Sequence, residues 1–227
     1  MHNSAISTTR IIPLTLFQTT ALVPSKLFKY LSILLLASSC TVALPEFQTA
    51  ESLAPRENKI AVGGFSGRGL NASTGAVAVY NRGLTNRLDL TTTTSISRLN
   101  IEQDNLRVSA VVGPKWSSPN QKWAISAPMG TVYSETFNDI DAGYTYIFTP
   151  TLYRSWANES GTVTHSFFAR SEAAYNLYRG RWFALVSGYG QAYETERLTH
   201  YLSVSGSTNG PFYGIYFGYG LSLKPIQ

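Results

Sequence analysis

The chain has 227 residues, a formal net charge of +5 and a single cysteine. One cysteine excludes an intrachain disulfide and a multi-cysteine metal site. Three of the cations precede residue 40 and no acidic residue does, so the rest of the chain carries a formal charge of only +2 and gives no reason to expect a nucleic-acid partner.

The first predicted element is an apolar run over Tyr30–Leu44, fifteen residues without a charge. A transmembrane helix needs about twenty such residues, so the run is short for a membrane span. Lys26 and Lys29 precede it and small residues close it, and this order of charge, apolar core and small residues is typical of a secretory signal. We therefore predict a signal peptide over residues 1–39.

The cysteine stands at the end of that run, in the stretch LLLASSC. This stretch resembles the lipobox of bacterial lipoproteins. The resemblance implies that Cys40 is thioether-linked to diacylglycerol, belongs to a palmitate-bearing lipoprotein and becomes the mature N-terminus. The alternative is a secretory cut after Ala43, which would discard the cysteine. The stretch ahead of Lys26 is long for an n-region, and we expect translation to begin downstream, at Val23 or Leu27.

Residues 40–57 follow as a predicted lipidated N-terminus and tether. They mix prolines with small and charged residues and show neither a helical nor a strand period. The folded domain is predicted over residues 58–227. The chain after Cys40 is long enough for one domain with a sizeable core.

From Lys59 to Leu223 the sequence consists of short β-prone runs broken by Gly, Asn, Asp, Ser and Pro clusters, without a helical stripe. This pattern predicts an all-β chain with consecutive hairpins. Eight strands is the alternative to ten, if short neighbours merge. The ten candidate strands are 58–67, 74–83, 87–98, 105–113, 121–133, 140–153, 162–178, 181–193, 197–206 and 212–223.

The last of these runs, FYGIYFGYGLSL, has one bulky face and one face that is nearly all small. The same alternation recurs in residues 140–149 and 88–97. The bulky face of the last run carries Tyr213, Ile215, Phe217, Tyr219, Leu221 and Leu223, and its other face carries Gly214, Tyr216, Gly218, Gly220 and Ser222.

The composition of the polar faces indicates which side is the interior. They are made of Gly, Ser, Thr and Asn with isolated charges, whereas a solvent-exposed face usually carries Lys and Glu. Small polar residues suit the crowded interior of a narrow barrel. Trp116, Trp123, Trp156 and Trp182 fall at or near predicted strand ends, where aromatic rings form girdles at membrane surfaces.

In these features, residues 58–224 resemble the small outer-membrane β-barrels of Gram-negative bacteria. The resemblance implies an antiparallel up-and-down β-barrel of eight to ten strands in the outer membrane, with membrane lipids and other envelope proteins as partners. The alternative is a lipid-anchored periplasmic barrel of lipocalin-like type that binds a ligand.

Five charged residues are predicted to point into the lumen, and buried charges must be paired. We therefore expect a charge network that closes the lumen rather than a selective pore. An interior of eight to ten strands is in any case largely filled by side chains. The five residues are Asp89, Arg107, Asp141, Arg170 and Glu172.

His200 and Ser203 are the nearest approach to a catalytic pair, because outer-membrane lipid A deacylases carry a His and a Ser close together near the C-terminus. Residues three apart in a strand point to opposite faces, so we expect no catalytic site. No ligand spacing predicts a metal or another cofactor. The sequence predicts an outer-membrane-associated β-barrel lipoprotein with a structural or interaction role; the alternatives are a lipid-modifying envelope enzyme and the soluble ligand binder.

Overall fold

The computed structural model describes residues 45–69, 73–99, 106–135, 143–176, 180–207 and 214–223. Cys40 and Asp141 lie outside these residues. None of the described residues form a helix that could cross a membrane. The strands are β1 (Asn58–Gly69), β2 (Ser73–Thr85), β3 (Leu88–Leu99), β4 (Leu106–Ser117), β5 (Trp123–Ser126), β6 (Met129–Ser134), β7 (Gly143–Phe148), β8 (Thr151–Ala157), β9 (Val163–Asn176), β10 (Gly180–Glu194), β11 (Leu198–Ser207) and β12 (Gly214–Leu223).

These twelve strands form a closed antiparallel barrel with ten strand positions, which we call staves. β5 and β6 are two parts of one stave because both pair with β4, and β7 and β8 are two parts of another because both pair with β9. The interruptions fall at Pro128 and Pro150, and proline has no N–H to donate to a ladder. The predicted all-β barrel is confirmed, with ten staves rather than eight.

Closure comes from the pairing of β1 with β12, and the register is strongly staggered. Following partners from Gly63 across β12, β11 and β10 leads to Thr164 on β9. Following them the other way, across β2, β3, β4, β6 and β7, leads to Asn176, twelve residues further along β9. A stagger of this kind requires tilted strands and leaves a narrow interior.

The two ends of the barrel are distinguished by the strands that begin and end there. β1 begins and β12 ends at one end, which also carries the connections at residues 86–87, 118–122, 158–162 and 195–197. We call this the turn end. The opposite end, where β1 ends and β2 begins, is called the loop end.

Side chains alternate as the sequence predicts, with the bulky face outside. In β12, Ile215, Phe217 and Tyr219 are 54%, 58% and 45% exposed, whereas Tyr216 is buried at 1%. The glycines of this strand share the buried face. The small face is therefore the lumen wall, and the apolar face surrounds the barrel.

The segment that the sequence predicts as a tether differs from that expectation. Residues 45–53, which we call the luminal segment, lie inside the barrel: Phe47 is 1% exposed and Ala50 is fully buried. The segment passes Asp89 near the turn end and reaches Gly218 in the middle of β12. This part of the predicted tether is therefore buried, because Glu46 and Phe47 have partners in the lumen.

Candidate functional site in the barrel lumen

The luminal segment is held near the turn end by a buried ion pair. Lys115 and Asp89 lie 3.0 Å apart, with side chains 4% and 0% exposed. Lys115 Nζ also donates to the carbonyl oxygen of Glu51 at 2.7 Å and lies 3.4 Å from that of Thr49. Asp89 Oδ1 accepts a hydrogen bond from the Leu53 backbone N–H at 3.1 Å. The pair thus stabilises the segment backbone as well as the barrel wall.

A second charge cluster lies deeper in the lumen around Arg170. Its guanidinium is 3.4 Å from the Glu172 carboxylate and 3.8 Å from that of Glu46, which belongs to the luminal segment. All three side chains are less than 10% exposed. Burial raises the pKa of the Glu46 carboxyl, and the positive charge of Arg170 opposes that shift.

Phe47 fills a space that glycines leave open in the lumen wall. A Cβ atom at Gly63 or Gly220 would lie 2.6 or 2.7 Å from the Phe47 ring, so any larger residue there would collide with it. The ring also packs against Tyr201, with centroids 5.8 Å apart. Gly220 is therefore required by the close approach of the segment, whereas Gly63 is required by the close approach of the β12 backbone as well.

Ala50 completes the contact with the opposite wall. Its backbone N–H donates to Ser155 Oγ at 2.8 Å, and Ser155 Oγ is 2.6 Å from Ser166 Oγ. The methyl group of Ala50 is fully buried there. Charged, aromatic and small positions of the segment each have a matching feature in the wall.

The predicted lumen charges are distributed over the interior rather than gathered at one point. Asp89, Arg170 and Glu172 are buried in the lumen. Arg107 is half-buried on the inward face of β4 near the loop end. Asp141 lies outside the described residues, so its predicted position is not addressed by the structure.

Sequence reasoning missed Lys115 and Glu46, which are the partners of Asp89 and Arg170. The Gly-Pro-Lys stretch around Lys115 favours a turn, but β4 continues through it. Lys115 stands eight residues after Arg107, an even spacing that puts both on one face of a strand. Extending the inward-outward alternation of β4 beyond residue 113 would have placed Lys115 in the lumen. No period in the sequence predicts that Glu46 lies there.

His200 and Ser203 do not meet. His200 lies on the outer surface, where its Nδ1 is 2.9 Å from the Tyr219 hydroxyl oxygen. Ser203 is 7% exposed and lines the lumen beside Gly218. Across the described ranges there is no group of three His, Cys, Asp or Glu side chains that could hold a metal ion.

The outer surface is apolar between its two ends. On the described strands, outward-facing charged residues other than histidine are Arg82 and Arg154 towards the turn end and Arg68, Arg98 and Arg181 towards the loop end. Large apolar side chains occupy positions between them on every side, including Ile60, Val62, Ile96, Val108, Val112, Ile125, Met129, Phe148, Leu152, Phe167, Leu202 and Phe217.

Aromatic side chains border this apolar band. Trp116, Trp123 and Trp156 are exposed near the turn end, where Arg154 lies over the Trp123 ring at 4.9 Å. Towards the loop end, Tyr133 and Tyr144 pack with ring centroids 5.3 Å apart, and Tyr146 and Tyr175 are also exposed. Amphipathic rings at two levels are typical of the girdles of membrane barrels.

Comparison with known proteins gives likeness of fold only. No protein-family model matches the sequence, and no curated protein matches it significantly. A bacterial polysaccharide outer membrane secretin is similar at 15% identity and a TM-score of 0.41, over 67% of this chain and 57% of that one. The KdgM porin is similar at 10% identity and a TM-score of 0.41, over 74% and 99% of the two chains. The N-terminal β-barrel domain of Pseudomonas aeruginosa OprF is similar at 12% identity and a TM-score of 0.32, over 75% and 98%.

Proposed function

We propose that this chain is an outer-membrane β-barrel with a structural or interaction role in the cell envelope, and that its lumen is closed by its own luminal segment. The observation that carries the proposal is the reversed distribution of polarity. Phe217 and its outward neighbours are exposed, while Asp89, Lys115 and Arg170 are buried. A soluble barrel of lipocalin-like type places its apolar face inside, whereas a membrane barrel presents it to lipid.

Closure of the lumen supports an interaction or structural role over transport. The luminal segment occupies the interior from the turn end to the middle of β12, and ion pairs fix it there. A ten-stranded barrel has little free interior space to begin with. Solutes therefore have no open path while the segment stays in place.

Lipid dependence of solubility tests the membrane proposal. The mature chain carrying Cys40→Ser has no lipid anchor, so any remaining need for detergent comes from the barrel surface. We expect this variant to require detergent micelles and to show a compact, heat-sensitive band on unboiled gels. A monodisperse protein in detergent-free buffer would contradict membrane embedding.

We also propose that Cys40 is the lipidated N-terminus, supported by the lipobox-like LLLASSC stretch. Cys40→Ser should abolish incorporation of labelled palmitate and leave an uncleaved precursor. An unchanged mature mass in that variant would favour cleavage after Ala43 instead.

A further inference from the structure

The lumen wall binds the backbone of the luminal segment at points that any extended peptide offers. Lys115, Ser155 and Asp89 reach four backbone groups of the segment. Backbone N–H and C=O groups are the same at every non-proline residue, so these contacts require no particular side chain. A separate peptide chain could therefore make the same backbone contacts.

Two further contacts select side chains. The Glu46 carboxylate faces Arg170, and the Phe47 ring fills the space above Gly63 and Gly220. Three residues later, Ala50 is fully buried beside Ser155, where its small side chain fits. Together they define a preference for an acidic residue, then an aromatic residue and, three positions after it, a small residue; Gln48 between them is also buried, at 8% exposed.

The segment is attached in a way that lets it leave. Residues 45–53 belong to no strand, and among the described residues no backbone-to-backbone hydrogen bond joins them to the barrel. The nearest such bonds link Arg56 and Glu57 to Gly83 at the turn end. The segment can therefore leave the lumen without breaking a ladder of the sheet.

We propose that the lumen between the turn end and the middle of β12 is a binding site for a peptide segment of this pattern, and that a segment of another polypeptide chain can take the place of residues 45–53. This deepens the proposed interaction role and rests on it. The partner is recognised by an acidic-aromatic pair followed by a small residue. The chain's own segment is the occupant in cis.

Disulfide capture tests exchange in the full mature chain. The protein carries Cys40→Ser and Ser155→Cys. The probe is a synthetic peptide of residues 45–54 carrying Ala50→Cys as its thiopyridyl disulfide, so that the protein thiolate at position 155 attacks the peptide sulfur and thiopyridone leaves. Ala50 N and Ser155 Oγ are 2.8 Å apart. A short tether gives the cis segment an effective concentration of about millimolar. Two forms of the protein are therefore compared, each with the peptide at about 1 mM. In one form its own segment is intact, and in the other the segment's binding is weakened by Glu46→Gln and Phe47→Ala.

We expect mass spectrometry to show the mixed disulfide more than about tenfold more often in the weakened protein than in the intact one. A peptide that itself carries Glu46→Gln and Phe47→Ala should be captured more than about tenfold less. As a control, protein locked by an internal disulfide between Ala50→Cys and Ser155→Cys should capture none. If the double variant loses its heat-sensitive band, the single variant Glu46→Gln replaces it as the weakened protein.

Equal capture of the two peptides would overturn the proposal. So would no capture by the folded, weakened protein while a small thiol reagent still modifies its Ser155→Cys side chain. Peptide capture is measured in detergent solution, and it can be measured whether or not the barrel needs detergent to stay soluble. A failure of capture is therefore distinct from a failure of the membrane proposal.

Discussion

Replacing Phe47 with alanine should release the luminal segment and open the barrel. The Phe47 ring is 1% exposed, and truncating a buried phenylalanine costs about 3–5 kcal/mol. The hydrogen bonds that hold the segment backbone contribute only about 0.5–1.5 kcal/mol each. The contribution of the Phe47 ring is thus comparable to that of all these hydrogen bonds together. At about 1.4 kcal/mol per tenfold, the released population should rise by about 10²- to 4 × 10³-fold.

Conductance across planar lipid bilayers measures this opening. The parent protein should be closed most of the time, and Phe47→Ala should open far more often. Phe167→Ala is the matched control, because Phe167 is 54% exposed on the outer surface and touches no part of the segment's site. A folded Phe47→Ala protein that conducts no more than Phe167→Ala would refute the reasoning that the segment closes the lumen.

Three other substitutions test the packing. Lys115→Met leaves Asp89 buried without its cation and should cost about 3–5 kcal/mol in urea unfolding, partly regained with Asp89→Asn; an unchanged midpoint would count against the pair. Gly63→Ala places a Cβ 2.2 Å from a backbone oxygen of β12 and should prevent closure of the barrel. Gly64→Ala is the control and should fold, because the nearest neighbour of its Cβ is 3.6 Å away. Equal heat-sensitive bands from the two variants would disprove this. Phe217→Arg should cost about 2–4 kcal/mol in lipid vesicles, and a stability equal to the parent would argue against lipid contact.

Much of the barrel could be predicted from the sequence because strand alternation is a local signal. In β12 the bulky outward residues alternate with inward residues that are small except for Tyr216, and this fixes which face lines the lumen once the composition of the faces is considered. Turn residues mark the connections, so the ten runs correspond to the ten staves. The interruptions at Pro128 and Pro150 were not predicted as breaks, since pairing continues on both sides of each proline.

The site was harder to predict because it is made by contacts between distant parts of the chain. The luminal segment is buried at four consecutive residues, 45–48, and again at Ala50, so its residues show no two-sided period. Arg170 could be assigned to the lumen from its strand, but its partner Glu46 lies 124 positions earlier, outside any periodic element. Only the closed register brings the two together.

Collision of a nitroxide label with oxygen and with a water-soluble nickel chelate tests the central claim most directly. Cysteine is introduced singly at Leu202, Ile215 or Phe217 in the Cys40→Ser chain, labelled and reconstituted in lipid vesicles; all three positions are more than half exposed on the outer surface. We predict frequent collision with oxygen, which concentrates in lipid, and little with the chelate. Collision with the chelate as frequent as at an exposed turn residue such as Asn120 would show that the apolar surface faces water and contradict the account.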